Sequence, residues 1–208
     1  MKRTKLDLVR ERPVFFHAKA SPEVVRLPPA KYLTIDGGGS PDSAEFQRAI
    51  GAMYGMAYTL RAGSKQAGRD YKVSTLEGQW WSDVTGPANP DALWTAPRES
   101  WRWRLLIMVP DFTTKKEVAA AKQALHLRHG DLAAEHVSLE TVKEGLCLQA
   151  LHIGPYATEP ESIGRMRALM EAKGLKPAGL HHEVYLGDPR RTKPEKLKTL
   201  LRQPVAKA

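Results

Sequence analysis

The first half of the chain opens with hydrophobic patterns that predict one strand and one helix. Residues 32–36 form a short β-rich run that ends in the glycines 37–39, which we interpret as a hinge rather than as strand. Ser40 followed by Pro41 is a typical helix start, because serine accepts a hydrogen bond from the first turn and proline needs no donor there. Apolar residues then recur at helical spacing, which predicts an amphipathic helix over 41–61.

Two further strands and a long loop follow this helix. Residues 71–77 alternate between two faces, and residues 101–109 form a strand whose second half is apolar on both faces, as in the centre of a sheet. Residues 82–100 between them are rich in Pro, Gly, Asn and Asp, which predicts a loop. Loops of this length within a compact fold are often lids or binding loops.

The second half of the chain repeats this order of elements. Thr114 and Glu117 form a capping box that predicts a helix over 115–127, and Thr158 with Glu161 predicts the start of another. The strands of this half are predicted at 136–142, 146–153 and 181–186. Three helices and about seven strands are thus expected in the whole chain.

The repeated order predicts an α+β fold. Two tandem pseudo-symmetric strand–helix–strand–strand modules, roughly 25–110 and 111–205, are expected to form one antiparallel sheet after an N-terminal extension of residues 1–24. We expect the helices on one face of this sheet and a central ligand groove on the other, where the sheet is free to curve around a ligand.

An aromatic cluster is the clearest chemical signal in the sequence. All five tryptophans fall between residues 80 and 103: Trp80, Trp81, Trp94, Trp101 and Trp103. Core packing is the usual role of an indole, but five are difficult to bury within one short segment that contains a polar loop. We therefore expect several of them to line a cavity.

Two carboxylates accompany these rings. Glu77 immediately precedes the cluster, and Glu183 shares one face of the final strand with Tyr185. If Val184 and Leu186 pack on the helices, Glu183 and Tyr185 face the open side of the sheet. A mid-strand glutamate is as often a solvated or paired side chain. In an indole-walled pocket it would attract a flat cation when ionised, or serve as a general acid or base when desolvated.

The charge distribution argues against a nucleic-acid groove. The net charge is +9, yet residues 1–12 hold five basic and two acidic side chains, residues 189–208 hold seven and one, and residues 13–188 balance at twenty each. A groove for nucleic acid needs basic residues along the surface that follows the phosphates. We expect a small-molecule ligand or substrate, no nucleic acid, and a monomer or weak homodimer.

Other classes of site have little support in the sequence. No phosphate-binding or dinucleotide-binding glycine motif and no zinc-protease motif is present, so no cofactor is expected. His181 and His182 alternate across a strand and cannot share a metal, so none is expected. No membrane span or secretory signal is visible, and the single Cys147 lies in an apolar run, which together suggest a cytoplasmic protein.

Five runs, taken in order, resemble the GyrI-like small-molecule-binding family. They are Lys31-Tyr-Leu-Thr-Ile-Asp-Gly, Met53-Tyr-Gly-Met-Ala-Tyr-Thr-Leu, Leu76-Glu-Gly-Gln-Trp-Trp, Leu151-His-Ile-Gly-Pro-Tyr and His181-His-Glu-Val-Tyr-Leu-Gly-Asp-Pro-Arg-Arg. The resemblance implies paired modules around a central groove. The chain is more similar to stand-alone members of this family than to its transcription activators. The reason is that residues 1–30 hold a Pro and a β-like run (Val14-Phe-Phe-His) in place of a helix-turn-helix.

The resemblance also implies roles for individual residues. Certain stand-alone members of the family hydrolyse the strained ring of DNA-alkylating cyclopropanoid compounds, with a groove carboxylate and aromatic residues assisting the attack of water. Glu183 is the first choice for that carboxylate, and Tyr156 either donates a hydrogen bond to a ligand carbonyl or merely caps its turn. The expected ligand-binding residues are Tyr54, Tyr58, Glu77, Trp80, Trp81, Trp103 and Tyr185.

Three functions remain open at this level. A hydrolase would open a strained ligand held between Trp and Tyr rings. A passive binder would sequester hydrophobic, often cationic compounds without chemistry, from the same pocket. A gyrase-inhibitor-like protein would act through its surface and leave the pocket unused.

Overall fold

The computed structural model describes residues 5–84, 86, 90–129 and 132–208, which form five α-helices and nine β-strands. The helices are α1 (Leu8–Glu11), α2 (Pro13–Phe16), α3 (Ala44–Gln66), α4 (Lys115–His129) and α5 (Glu159–Ala172). The strands are β1 (Glu23–Leu27), β2 (Ala30–Gly38), β3 (Leu76–Ser82), β4 (Trp101–Met108), β5 (Ser138–Val142), β6 (Gly145–Ile153), β7 (Leu175–Pro177), β8 (His181–Tyr185) and β9 (Lys198–Lys207).

The sheet is built from two equivalent halves. Its strand order is β1-β6-β9-β8-β3-β4-β2-β5, with β7 paired to β9, and the neighbours are antiparallel. The units β2–α3–β3–β4 and β6–α5–β8–β9 have the same order of elements, and they meet where β3 pairs with β8. The predicted α+β class with tandem strand–helix–strand–strand units in one antiparallel sheet is confirmed.

Each unit places its helix on the same face of the sheet. Helix α3 packs on β2 and β4, where Met53 and Met56 join the core that contains Leu33 and Leu105. Helix α5 packs on β6, where Met166 joins a separate core of this face. Helix α4 packs mainly against α3 and also contacts β5 at the edge of the sheet. Strand β8 therefore lies at the boundary between two helix-covered halves.

The N-terminal segment covers the centre of the opposite face. Phe15 and Phe16 of α2 are buried in a third core with Leu106, Val184 and Leu200. The expectation that Val184 packs on the helices is therefore wrong, and the run that contains Phe15 and Phe16 is a single helical turn rather than a strand. The sequence shows that Val184 needs apolar cover but not which segment supplies it.

Capping residues in the sequence predicted the first residue of some helices but not of others. The capping box of Thr114 and Glu117 is confirmed, since Glu117 N donates to Thr114 Oγ1 at 3.2 Å and Thr114 N to Glu117 Oε2 at 2.8 Å. Helix α3 instead begins after Ser43, whose hydroxyl accepts from Phe46 N at 3.1 Å. Thr158 makes no side-chain cap hydrogen bond to α5.

Gly37 and Gly38 belong to a strand rather than to a hinge, whereas Gly39 follows the strand with a φ of 85°. Strand β2 continues through Gly38, and a Cβ at Gly37 would lie 2.2 Å from the Trp103 ring. Gly37 is thus a place where an indole lies directly on the backbone.

The basic C-terminal region is not a tail, because residues 198–207 form β9 between β6 and β8. This strand carries Arg202, whose guanidinium is fully buried. It donates from Nε to Gln149 Oε1 at 2.8 Å and from Nη2 to the backbone carbonyl of Phe15 at 2.7 Å. Part of the positive charge counted at the C-terminus is therefore inside the protein, where it anchors the N-terminal segment.

A buried ionic cluster surrounds this arginine on the face that the N-terminal segment covers. His182 lies between two carboxylates, with Nδ1 2.7 Å from Glu144 Oε1 and Nε2 3.1 Å from Glu77 Oε2, and Arg202 Nη1 lies 3.1 Å from Glu144 Oε2. Burial opposes charge on His182, but the charge of Glu144 and its hydrogen bond outweigh this and raise the pKa of His182 to about 9. Burial likewise opposes charge on Glu144, yet His182 and Arg202 lower its pKa to about 2.

Replacing His182 by glutamine should destabilise the protein in a pH-dependent way. The pKa of His182 is about 9 in the fold and 6.5 as a free side chain, so its ionic stabilisation is complete below pH 6.5 and is lost as the pH rises through about 9. Breaking such a buried pair costs on the order of 3 kcal/mol. Urea unfolding should therefore show a large loss for His182→Gln at pH 6 and a much smaller one at pH 9.5.

His126→Gln is the matched control, because the His126 side chain is half exposed and lies 3.8 Å from Glu135 at the surface. It should change the unfolding free energy by no more than about 0.5 kcal/mol at either pH. An equal loss for His182→Gln at both pH values would show that the ring is a neutral filler.

Candidate functional site

The polar face of β8 lies in the gap between the two helix-covered halves. His181, Glu183 and Tyr185 point to the helix-bearing face, opposite to His182 and Val184, as the pairing with β3 and the packing of Val184 require. The groove was expected on the side away from the helices, and that expectation is wrong. The reason is that Val184 packs on the N-terminal segment, which includes α2, and not on α3 or α5. We call the strip of β3 and β8 between α3, which packs on β2 and β4, and α5, which packs on β6, the groove.

A chain of hydrogen bonds holds Glu183 in this groove. The indole N–H of Trp80 donates to the Tyr185 hydroxyl at 2.9 Å, and that hydroxyl interacts with the Glu183 carboxylate. Burial is the main cause that raises the pKa of Tyr185 well above its ordinary value, and the charge of Glu183 adds to it. The Tyr185 hydroxyl therefore keeps its proton and can donate a hydrogen bond. His181 Nε2 lies 3.3 Å from Glu183 Oε1. Glu183 itself is only 6% exposed.

Gly78 makes room for this hydrogen bond. A Cβ at this position would lie 2.7 Å from the Tyr185 hydroxyl and 2.9 Å from Trp80 Nε1. Gly78 is also the residue directly opposite Glu183 in the β3–β8 pairing. The floor of the groove therefore requires glycine beside the carboxylate.

Glu159 is a second buried carboxyl group, and the charge of Glu183 acts on it. Glu159, the first residue of α5, is 1% exposed, and both of its oxygens lack a hydrogen-bond partner among the described residues. Burial is the main cause that raises the pKa of Glu159 to about 9, and the negative charge of Glu183 raises it further. The Thr199 side chain has the opposite effect and lowers this pKa. Glu159 is therefore protonated in the neutral pH range.

We call the partly exposed tyrosines on the two elements beside this strip, Tyr156 before α5 and Tyr54 and Tyr58 on α3, the mouth of the groove. Tyr156, just before α5, is 38% exposed, and its ring meets that of Tyr185 edge to face at 6.1 Å. Burial is the main cause that raises the pKa of Tyr156 to about 12, and the negative charge of Glu183 adds to it. On α3, Tyr54 is half buried and stacks on the exposed Tyr58 with ring centroids 6.3 Å apart. These rings present flat apolar surfaces, and Tyr156 a hydroxyl, at the entrance.

A cavity of about 210 Å³ lies on the other side of His181. The ring of Trp94, from the 82–100 loop, meets His181 edge to face at 5.9 Å, and Met166 and Met170 of α5 form the opposite wall. The cavity is smaller than the ~300–1,000 Å³ typical of a complete ligand site. It is large enough for the flat apolar part of a ligand.

The other predicted residues lie elsewhere. Glu77 and Trp81 point to the opposite face of β3, where Glu77 is fully buried in the ionic cluster rather than exposed at a strand end. Trp103 shares the face of Glu183 but is buried beneath α3, against Phe46 and over Gly37. The structure thus gathers Glu183, Tyr185 and Trp80 at the groove floor and Tyr54, Tyr58 and Tyr156 at its mouth. It does not bring Glu77, Trp81 and Trp103 there.

Sequence reasoning missed three residues of this site. Glu159 and His181 are absent from the predicted set, and Trp94 appeared only as one of five clustered indoles. The alternation of β8 already places His181 on the face of Glu183, so that signal was available. Nothing local distinguishes Glu159 from the many glutamates found in the first turn of a helix, since its burial depends on packing against β8 and β9.

The polar side chains of this site are two glutamates, two tyrosines and a histidine: Glu159, Glu183, Tyr156, Tyr185 and His181. In the part of the chain that is described, no group of three His, Cys, Asp or Glu residues is arranged to hold a metal ion. No helix formed by those residues is long and apolar enough to cross a membrane. Two carboxyl groups of unlike environment, together with tyrosine hydroxyls and aromatic walls, are equipment for binding and acid–base chemistry on a small molecule.

Comparisons with known proteins agree with this description. The GyrI-like small-molecule-binding domain model matches residues 109–206, and no curated protein shows a significant match. An uncharacterized conserved protein from Listeria innocua is 34% identical, with a TM-score of 0.88, over 97% of this chain and 100% of that one. A protein from the same organism described as a hydrolase is 34% identical, with a TM-score of 0.85, over the same shares.

A more distant structure shares the fold alone. The EcmrR C-terminal domain is 10% identical, with a TM-score of 0.55, over 90% of this chain and 98% of that domain. Fold, groove and comparisons together define a small-molecule-binding domain. The chain belongs to the GyrI-like small-molecule-binding family.

Gly78→Ala should disturb the groove floor. The new methyl group would force the Trp80 indole and the Tyr185 hydroxyl apart, at a cost of about 1–3 kcal/mol in the free energy of unfolding. Urea unfolding and a shift in tryptophan emission would measure both effects. Gly51→Ala is the control, because that helical glycine has open space around it and should gain about 0.5–1 kcal/mol. Unchanged stability and emission in Gly78→Ala would contradict the close packing described here.

Proposed function

We propose that this protein takes up planar hydrophobic or cationic compounds in the groove and hydrolyses strained cyclopropanoid electrophiles there. The observation that carries the proposal is the position of Glu183. It is a buried carboxylate at the centre of the sheet, between two helices, in contact with His181 and tied to Trp80 through Tyr185.

Binding is supported by the aromatic surfaces on either side of this carboxylate. The stacked Tyr54 and Tyr58 lie at the mouth, and Trp94 borders the cavity beyond His181. A flat ligand can lie against these rings, and a cationic one gains both cation–π contact and attraction to Glu183. An elongated ligand would place one end in the cavity and its reactive end near Glu183.

The same geometry supports hydrolysis. Glu183 orients a water molecule and accepts its proton as the water oxygen bonds to the cyclopropane methylene carbon. The bond from that carbon to the dienone ring breaks, and its electron pair passes through the ring to the carbonyl oxygen. Tyr156 donates a hydrogen bond to that oxygen as negative charge develops on it. Release of ring strain provides driving force, so general-base help of about 10²–10⁴-fold is sufficient.

The relative described as a hydrolase supports a catalytic role over passive binding, because it is 34% identical along its whole length. A passive binder would use the same groove and return its ligand unchanged. Mass spectrometry of the recovered ligand separates these two functions.

Glu183→Gln should abolish turnover but retain binding of a neutral substrate. Glutamine keeps the shape of the side chain but accepts no proton at neutral pH, so kcat should fall at least about 10²-fold. The assay follows loss of the dienone absorbance of a synthetic cyclopropanoid, with tryptophan quenching as the measure of binding. Glu140→Gln, a mid-strand glutamate of β5 on the opposite face, is the control and should keep the wild-type rate. Wild-type kcat in Glu183→Gln would remove this residue from the mechanism.

Tyr156→Phe should slow the reaction without weakening binding. The variant keeps the ring that meets Tyr185 but loses the hydroxyl, so kcat should fall about 10-fold or more while KM changes little. Tyr71→Phe removes a hydroxyl from a ring that packs on Phe112, outside the groove, and should keep kcat. If both variants keep kcat, the Tyr156 hydroxyl only caps its turn.

A further inference from the structure

We propose that Glu159 is a second catalytic residue, which holds a proton at the groove floor and delivers it to the substrate oxygen while Glu183 accepts a proton from the attacking water. This inference rests on the proposed hydrolysis and adds to it the group that completes the proton balance.

The position of Glu159 first suggests this role. The side chain is almost completely buried at the start of α5, yet neither oxygen has a hydrogen-bond partner among the described residues. The ion pairs found in the described part of the chain do not include it. A buried carboxyl group without a counter-ion is costly in structural terms and is typical of a functional site.

The surroundings of Glu159 favour its neutral form. Glu183 and Tyr185 act on it from β8, Thr199 from β9, and Tyr156 from the preceding turn. His181 is the nearby basic group, and it contacts the Glu183 carboxylate. Burial, reinforced by the negative charge of Glu183, is the reason that Glu159 holds its proton, and its pKa is about 9.

The contrast with the other buried glutamates strengthens this assignment. Glu77 and Glu144, on the opposite face, are buried with His182 and Arg202 as counter-charges. The fold thus compensates buried carboxylates where they are structural. Beside the groove, Glu159 has no such counter-charge among the described residues, and Glu183 contacts His181 and the neutral Tyr185 hydroxyl.

The proton balance of the reaction requires such a donor. When the cyclopropane bond breaks, the electron pair arrives at the ring oxygen, and the proton of Glu159 converts that oxygen into a phenol. Glu183 has meanwhile taken a proton from the attacking water, so the carboxyl pair still holds one proton at the end. Its transfer from Glu183 to Glu159 restores the starting state, and the net change is the addition of one water to the substrate.

Helix α5 makes the donation reversible. Glu159 is the first of the 14 residues of this helix, where the free backbone N–H groups stabilise a carboxylate. The ionised form produced after donation is therefore tolerated long enough for the proton to return from Glu183. Burial keeps the proton on Glu159 before the reaction, and the helix end supports the charge after it.

Glu159→Gln tests the donor role. Glutamine matches the neutral carboxyl group in shape and polarity but cannot transfer a proton. With synthetic spiro[2.5]octa-4,7-dien-6-one as substrate, the variant should lose about 10²-fold in kcat with little change in KM. Glu161→Gln removes an exposed acid from the same first turn and should keep the wild-type kcat. Wild-type kcat in Glu159→Gln would overturn the donor role, since a purely structural neutral carboxyl is well replaced by glutamine.

Thermal unfolding provides a second readout that needs no substrate. The pKa of Glu159 is about 9 in the fold and 4.5 as a free side chain, so the unfolded chain releases this proton first and stability falls as the pH rises from 4.5 to 9. The glutamine of Glu159→Gln has no such proton, so the stability of the variant does not fall for this reason. Its Tm should exceed that of the wild type by an amount that grows from pH 5 to pH 9. The Tm difference for Glu161→Gln should not grow in this way. A pH-independent difference for Glu159→Gln would overturn the inference.

The two proposals fail in different ways. If the wild type does not convert the dienone, the proposed function and the donor role are both overturned. If the wild type turns over and Glu159→Gln is equally fast, the hydrolase stands and only the inference about Glu159 falls. A pH-dependent Tm difference together with slow turnover in Glu159→Gln supports both.

Discussion

The strip of sheet between α3 and α5 is the constraint on which this structure depends. Each strand–helix–strand–strand unit covers its own half of the sheet with one helix, and the units join through β3 and β8. Strand β8 therefore presents His181, Glu183 and Tyr185 to a gap between helices. The groove is a consequence of placing two equivalent units side by side, because the cover that each helix provides ends where the units meet.

Strand β8 separates two electrostatic environments that are one residue apart. His182 points to the face covered by the N-terminal segment, where Arg202 and two glutamates form a compensated cluster. Glu183 points to the groove, where the neighbouring Glu159 adds a second acid instead of a cation. The first arrangement stabilises the attachment of the N-terminal segment, whereas the second costs stability and supplies reactive groups. That difference is why we assign structure to one face and chemistry to the other.

Much of the fold could be predicted from local patterns. Helical spacing and the Thr114–Glu117 box identified α3 and α4, and strands were predicted where β4, β6 and β8 lie. The strand predicted from alternation at 71–77 was misplaced, because it overlaps β3 (Leu76–Ser82) only at Leu76 and Glu77. Strand β9 was missed, because its charged residues and Pro204 hide the pattern and because a buried arginine looks like a surface one in sequence. The glycines before α3 were misjudged because their freedom is used for close contact with Trp103 and Arg102, not for bending.

The sequence by itself determined the α+β class, the two repeated units and the alternation that puts Glu183 with Tyr185, since these follow from periods of two and 3.6 residues along a local segment. Only the tertiary structure decided which face of the sheet carries the groove, because that depends on whether the N-terminal segment or a helix covers Val184. It also decided that Glu77 is paired while Glu159 is not. The proton affinity of a carboxyl group is set by the charges and the solvent around it, and these come from residues that are far apart in the chain.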